Sequence, residues 1–462
     1  MKKIRVGLLP LYIKLYDDIG SKSRNRLEPF YDTIAAALED RGLEVLRSPF
    51  CRVKEEFEAA IRSFEEGGAR ALVTLHMAYS PSLESIDAVA GSKLPVVVLD
   101  TTETYDFSPM QDPGEISYCH GIHGVMDFCS LLRQRGKPYA ISAGHWQYSP
   151  VLDRTAGFVR TAVAAQSLKG LRVGRFGGGF QGMGDFAVTA EELQENFDVT
   201  LVEADAEELK ALGDTITEEE IRSEMASDAE AMTGAEALDP GLYRESVKAC
   251  LTTRKWLEAE DLGAFTVNFL GISPKEGLNS MPFPEACKAM ARGVGYAGEG
   301  DVLTAAFCGA ILQGNPNTSF VEIFCPDWNG GTLLLSHMGE MNYKLADSKP
   351  SLKAAGTNYT DGALPVVGYA RYRAGRALYM NVCRDEKGFK LVSAPVEMVR
   401  VSRDAFGSSI RGWMRPAGGD VAGFLEKLSR AGATHHSLLM YNASPEQAAF
   451  FAELLGLRHE AI

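Results

Sequence analysis

Short apolar runs alternate with longer amphipathic ones over the first 150 residues, and nothing else in the chain constrains its fold as strongly. Residues 4–9, 43–46, 71–75, 96–99 and 139–142 read as strands. Residues 26–40, 54–66, 81–90 and 121–134 read as the helices between them, with apolar residues at helical spacing. Alternation of this kind predicts a parallel sheet covered by helices on both faces. Ligands of such sheets bind beyond the carboxyl ends of the strands. His76, directly after the third strand, stands at such an end, as do Asp100-Thr-Thr-Glu103 and Gly144-His-Trp-Gln147. Loops and helix caps use the same polar residues, so position alone does not make any of them a site.

A second α/β unit begins near Val151. It has a helix over 153–166, strands over 171–176, 197–202 and 264–269, and helices over 217–232, 241–258, 283–292 and 302–312. The loop Gly177-Gly-Gly-Phe-Gln-Gly182 follows a strand, but its spacing is not Gly-x-Gly-x-x-Gly and no helix opens directly after it. A nucleotide site is therefore not supported there. Glu218-Glu-Glu220 reads as a solvated helix face. From about Asn317 the pattern changes to strands joined by turns, at 320–324, 332–336, 364–372, 378–382, 390–394 and 397–401. That predicts an antiparallel barrel or sandwich. Helices at 421–431 and 446–455 flank a strand-like 435–441. The organisation is then α/β in three parts, 1–150, 151–316 and 317–462, the last of them β-rich, which suits a length too great for one core.

Composition narrows the partners. With 47 basic and 61 acidic residues the net charge is −14, which argues against nucleic acid and anionic membranes. The eight cysteines are scattered without a Cys-x-x-Cys pair, as expected of reduced thiols in the cytoplasm. Met1-Lys-Lys-Ile is basic, but the apolar run at 6–11 contains Pro10 and is followed by Lys14, Asp17 and Asp18, so no secretory leader is expected. No apolar run reaches the roughly 18 residues that span a bilayer.

Chemistry concentrates in the last third. Glu299 lies between two glycines just before a helix start at Asp301, where the helix dipole favours a carboxylate. Glu322 alternates with Phe320 and Phe324, so a strand would face all three one way. A carboxylate beside two phenylalanines is costly without a cation or strong hydrogen bonds. His337 continues the face of Leu333 and Leu335. His435 and His436 would point to opposite faces of a strand, so one ligand is expected from that pair, and the sequence does not choose which. Carboxylates with imidazoles suit Mn²⁺ or a similar divalent cation better than a thiolate metal does, and paired carboxylates also suit acid–base work.

Taken in order, Met290-Ala-Arg-Gly-Val-Gly-Tyr-Ala-Gly-Glu-Gly-Asp301, Thr318-Ser-Phe-Val-Glu322, Ser336-His-Met338 with Glu340, and Ala433-Thr-His-His436 resemble the metal-site motifs of the L-arabinose isomerases, a group that extends to L-fucose isomerases. His76 with Ser80-Pro81, His120-Gly121, Gly144-His-Trp-Gln147, and Arg175-Phe-Gly177 leading to Met183 agree, so the resemblance spans most of the chain. It implies two Rossmann-like parallel-sheet domains and a barrel-like C-terminal domain. It also implies Mn²⁺-dependent aldose–ketose isomerisation of a small sugar through an enediol, in a homo-hexamer. Glu299, Glu322, His337 and one of the paired histidines, preferably His436, would hold the metal, and the two glutamates would move the proton between C1 and C2. His145 would reach the sugar from a neighbouring subunit, and Tyr12, His76, Met183 and His435 are the other substrate-side candidates. Leu8-Leu-Pro-Leu-Tyr12 stands where the family carries a substrate-contacting glutamine, and Asp100-Thr-Thr-Glu103 and Gly339-Glu-Met-Asn342 also depart, so the sugar itself is left open. The rival expectations are an epimerase on the same scaffold and a non-catalytic sugar-binding protein.

Overall fold

Strand β1 (Ile4–Leu11) is buried from its third residue to its last, which is what a strand with helices on both faces requires. A computed structural model describes residues 3–20 and 22–462; Met1 and Lys2 of the basic start lie outside them. The chain forms two compact units that part between Val163 and Ala164. Among the described residues of the first unit, β1 is joined by β2 (Leu43–Arg47), β3 (Leu72–His76), β4 (Val96–Asp100) and β5 (Tyr139–Ala143) in the order β2-β1-β3-β4-β5. Every pairing is parallel, and Leu11 lies opposite His76 at the carboxyl edge between β1 and β3, where the strand order reverses. Gly7 is needed inside β1 because the Phe64 ring lies where its Cβ would be, 2.6 Å away.

The second unit opens with a smaller parallel sheet, β6 (Arg172–Phe176), β7 (Thr200–Glu203), β8 (Ala264–Val267) and β9 (Gly295–Gly298), in the order β7-β6-β8-β9. The segment expected as a strand over 197–202 is divided differently. Thr189 and Glu192 form a reciprocal capping box that starts the helix Ala190–Phe197, Asp198 turns the chain with φ 56, and the strand begins only at Thr200. β9 was not foreseen, because Gly-Tyr-Ala-Gly has no β-branched residue to mark it.

Beyond β10 (Thr318–Asp327) and β11 (Thr332–Ser336), the hairpin β12 (Ser351–Ala354) and β13 (Val366–Tyr369) stands apart as a two-stranded sheet. β14 (Gly375–Asp385), β15 (Gly388–Met398), β16 (Gly412–Pro416) and β17 (His436–Tyr441) complete a ring in the order β14-β17-β10-β11-β16-β15, which the β14–β15 pairing closes. The C-terminal part is thus a closed six-stranded β-barrel, with β18 (Arg458–Ala461) added in parallel outside β15. The strand expected over 390–394 and the first two residues of the one expected over 397–401 lie in the single β15, which runs through Pro395 in an unbroken pairing with β14 and ends at Met398, so 399–401 is not strand.

One element joins the small sheet to the barrel. The helix Val302–Gly314 is apolar around its circumference, with all but one of its residues buried, because it packs on β8 and β9 on one side and on β10, β14 and β17 on the other. Its N-terminus therefore lies where sheet and barrel meet. One hydrophobic core runs from Ala164 to Ala452 across both. Among the described residues no helix is long and apolar enough to cross a membrane.

Candidate metal centre

Strand register assembles most of the centre. β10 lies between β17 and β11, and Glu322 pairs with His436 on one side and with Ser336 on the other, which brings His337 alongside. A bulge between Ile323 and Cys325 then shifts the register. The common face expected for Phe320, Glu322 and Phe324 does not hold past Glu322: Phe320 is fully buried, whereas Phe324 is 43% exposed. The rings of His337 and His436 each lie 4.9 Å from Phe320, so both imidazoles bracket the buried phenyl beside Glu322.

Glu299 arrives from the other sheet. It follows β9 directly with φ 62, a left-handed conformation that bulky residues rarely adopt, and this turns its side chain toward the barrel. Glycines on both sides are required for close approach. A Cβ on Gly298 would come 2.7 Å from His337 Cε1, and one on Gly300 would come 2.4 Å from the Gly178 carbonyl. The glycine loop after β6, read above as no nucleotide site, serves here as a packing surface. Phe180 N donates to the Glu299 carbonyl at 3.2 Å, and Met183 N donates to Phe180 O at 3.4 Å, placing Met183 in this loop.

His337 Nε2 lies 3.7 Å from Glu322 Oε2. His435 Nε2 and His436 Nε2 each lie 3.6 Å from Glu299 Oε2. Ligand atoms of Glu299, His435 and His436 fall within 4.8 Å of one another, as do those of Glu322, His337 and His436. The two groups share His436, whose Nε2 has one lone pair, so His436 can serve only one of them at a time. His435 and His436 do not diverge as successive strand residues would. His435 precedes the first residue of β17, and the two rings lie 4.3 Å apart, both turned to Glu299.

Each histidine has a carboxylate on its other nitrogen. Glu340 Oε2 lies 2.6 Å from His337 Nδ1, and Glu340 also accepts from Gly339 N at 2.8 Å and from the Tyr296 hydroxyl at 2.9 Å. Asp301 Oδ2 lies 3.0 Å from His436 Nδ1, while its Oδ1 caps the helix by accepting from Thr304 N at 2.9 Å. Asp185 Oδ2 takes both His435 N at 2.9 Å and His435 Nδ1 at 2.7 Å. Phe186 stacks on His436 at 4.9 Å, nearly parallel to it. Asp185 and Phe186 were not singled out in the sequence, and no local pattern marks them, since their partners lie some 250 positions further on.

Electrostatics set the residues apart. Burial alone would raise Glu299, but His435, His436 and His337 outweigh it and hold the carboxyl below its usual range. Burial raises Glu322 despite the same histidines. Burial disfavours a charged His337, yet Glu340, Glu322 and Glu299 raise it above the ordinary value. Burial likewise opposes charge on His435, but Glu299 and Asp185 lift it to about 9. Glu299 Oε2 and His436 Nε2 are buried without a hydrogen-bond partner and face each other, an arrangement that costs free energy unless a cation lies between them. The donor set fits a divalent metal such as Mn²⁺.

Tyr12, His76 and His145 belong to the first unit. Tyr12 is fully buried at the end of β1 against Phe50, with the Arg24 guanidinium 5.1 Å above its ring. His76 is buried beside Phe128 with neither ring nitrogen bonded, and burial depresses its pKa to about 3, so it is neutral. His145 accepts at Nδ1 from Gln147 N and Tyr148 N, which leaves the proton on Nε2, 3.1 Å from the Glu103 carbonyl. Its ring lies 5.0 Å from both Tyr105 and Tyr148.

Comparison with known proteins gives concordant matches. Residues 172–313 match the L-arabinose isomerase central domain, and residues 317–458 match the L-arabinose isomerase C-terminal domain. An L-arabinose isomerase of Shouchella clausii is 25% identical over 98% of this chain and 92% of its own length. That of Aeromonas hydrophila is 25% identical over the whole of this chain and 95% of its own. That of Herpetosiphon aurantiacus is 26% identical over 73% of this chain and 69% of its own.

Proposed function

Because this chain belongs to the L-arabinose isomerase family and is an aldose–ketose isomerase, we propose that its reaction runs at one divalent metal ion, preferably Mn²⁺, held by Glu299, Glu322, His337 and His436. The observation that carries the reading is a pair of donor groups, Glu299 with His435 and His436 and Glu322 with His337 and His436, that share His436, beside the unpartnered Glu299 Oε2 and His436 Nε2. A non-catalytic sugar sensor has no need of that set.

When bound, the metal polarises the sugar's carbonyl and hydroxyl oxygens and stabilises negative charge as it develops. The chain's own residues do the rest. Glu299 and Glu322 are the acid–base pair: one carboxylate takes the proton from C2 and passes it to O1, giving the enediol, and the other takes the O2 hydroxyl proton and delivers it to C1 as the C2 carbonyl forms. Phe320, Phe186 and the barrel wall exclude water from the buried side. His435, partly exposed and held by Asp185, orients a sugar hydroxyl. Met183 in the glycine loop, and Tyr12, His76 and His145 of the first unit, are the further substrate-side residues, His145 being supplied by a neighbouring copy in a homo-oligomer, by family a hexamer. The substrate is an aldose or modified aldose, and the name of the relatives does not fix which, because Tyr12 and its neighbours depart from the family's N-terminal segment. The three parts 1–150, 151–316 and 317–462 are its domains, and a cytoplasmic setting agrees with eight cysteines that are all free thiols.

Purified protein should bind manganese stoichiometrically and form a ketose from at least one member of a broad aldose panel. Metal binding without turnover of any aldose or ketose sinks the isomerase reading. Glu322→Gln should abolish turnover and leave the circular-dichroism spectrum unchanged; retained activity would remove Glu322 from the proton transfer.

A further inference from the structure

We infer that Asp301 is a positioning residue that fixes the tautomer of His436, presenting its Nε2 lone pair to the metal; the inference rests on the metal-site reading above. Asp301 and His436 are both fully buried, so no water competes for their contact. The two oxygens of Asp301 have separate duties. Oδ1 accepts from Thr304 N at the start of the helix Val302–Gly314, and Oδ2 lies 3.0 Å from His436 Nδ1. A carboxylate only accepts, so Nδ1 must carry the proton, and Nε2 is left as a bare lone pair facing Glu299. The rigid helix N-terminus thereby sets the chemistry of a strand residue 135 positions away.

The Glu340–His337 pair has the same purpose but a different wiring. Glu340 Oε2 alone accepts from both Gly339 N and His337 Nδ1, while Oε1 takes the Tyr296 hydroxyl. The two carboxylates therefore respond differently to conversion into amides. In Asp301→Asn the cap needs an acceptor at Thr304 N, so the amide oxygen stays there and the NH₂ turns to His436. Two donors cannot face each other, so His436 must move its proton to Nε2, where it blocks the metal. In Glu340→Gln the amide oxygen keeps both Gly339 N and His337 Nδ1, and the NH₂ faces a hydroxyl that can rotate to accept. The His337 tautomer survives.

The test compares these variants of the full-length protein. Free Mn²⁺ is followed by electron paramagnetic resonance in a titration, and the tautomer of His436 is read from ¹⁵N shifts of histidine-labelled, metal-free protein. Asp301→Asn should lose roughly 100-fold or more in Mn²⁺ affinity, at the upper end of the range for residues that orient a ligand, and should show a protonated Nε2 at His436. Glu340→Gln should stay within about 10-fold of wild type with its His337 tautomer unchanged. Asp301→Ser, which keeps a capping oxygen for Thr304 N but offers His436 no carboxylate, should fall between them. An Asp301→Asn protein that binds Mn²⁺ within a few-fold of wild type, or equal losses in the two amide variants, overturns the inference. If wild type binds no Mn²⁺, the metal-site reading fails instead, and the ¹⁵N shifts alone decide whether Asp301 sets the tautomer.

Discussion

At the scale of single residues, the centre depends as much on atoms that are missing as on those present. Gly298 has an ordinary backbone conformation, so its glycine is explained by space: a Cβ there would lie 2.7 Å from His337 Cε1 and 3.1 Å from Nε2. His337 cannot retreat, because Glu340 holds its Nδ1 at 2.6 Å and Phe320 lies against its ring. Gly298→Ala must therefore either break the Glu340 contact or tilt Nε2 away from Glu322. Overpacking of this kind typically costs about 1–3 kcal/mol, and here part of it falls on ligand geometry. The expected outcome is a Mn²⁺ affinity reduced by about 10-fold with a melting temperature lowered by only a few degrees. Isothermal titration beside a thermal scan checks it, and unchanged affinity would show that His337 has more room than its contacts indicate.

At the scale of elements, the helix Val302–Gly314 and strand β9 are bound by two further glycines. A Cβ on Gly295 would lie 2.2 Å from Gly309 N, and one on Gly309 would lie 2.5 Å from the Gly263 carbonyl, both being backbone that cannot yield cheaply. Gly309→Val should therefore push the helix off β8 and β9, carrying Asp301 with it. We expect a loss of at least about 3 kcal/mol in urea unfolding, and failure to accumulate as soluble protein would be the same result more strongly expressed. A variant of wild-type stability would contradict the packing. These elements also show what the sequence could and could not reveal. The helix read over 302–312 and the strand read over 332–336 are both found, but each is buried on every side, so a continuous apolar run rather than a period marks them in the sequence. β9 leaves no such run, since three of its four residues are glycine or alanine and only Tyr296 carries a large side chain. The capping box at Thr189 opens a helix that the apolar residues of 197–202 do not suggest. Glu299, Glu322, His337 and His436 stand out in the sequence only as members of an ordered set of motifs that resembles a family, since each taken singly also reads as a capping carboxylate, an edge-strand glutamate or a core histidine. Asp185 does not, being an ordinary exposed aspartate until the fold brings His435 to it.

At the scale of the whole molecule, metal and protons compete for the same atoms, and the competition has a definite sign. Without metal, His337 has a folded-state pKa above its unfolded value, so the stability it contributes is fully present below about 6.5 and is lost as pH rises through the raised value. A bound metal requires neutral His337 and ionised Glu322, the second of which burial makes harder to ionise. Acidification thus favours the metal-free fold at His337 while weakening the metal-bound one. Ligand binding stabilises the folded state by about 2.7 kcal/mol when free metal is 100 times its dissociation constant, and every unit of lost affinity subtracts from that. The rise in melting temperature produced by millimolar Mn²⁺ should therefore be largest near pH 8, shrink steadily through pH 6.5 and vanish by about pH 5. Paired thermal scans with manganese and with a chelator measure it directly. The two curves must converge on the acid side; a manganese-induced shift that is constant from pH 8 to pH 5 would mean that the stabilising ion does not sit among these histidines and carboxylates.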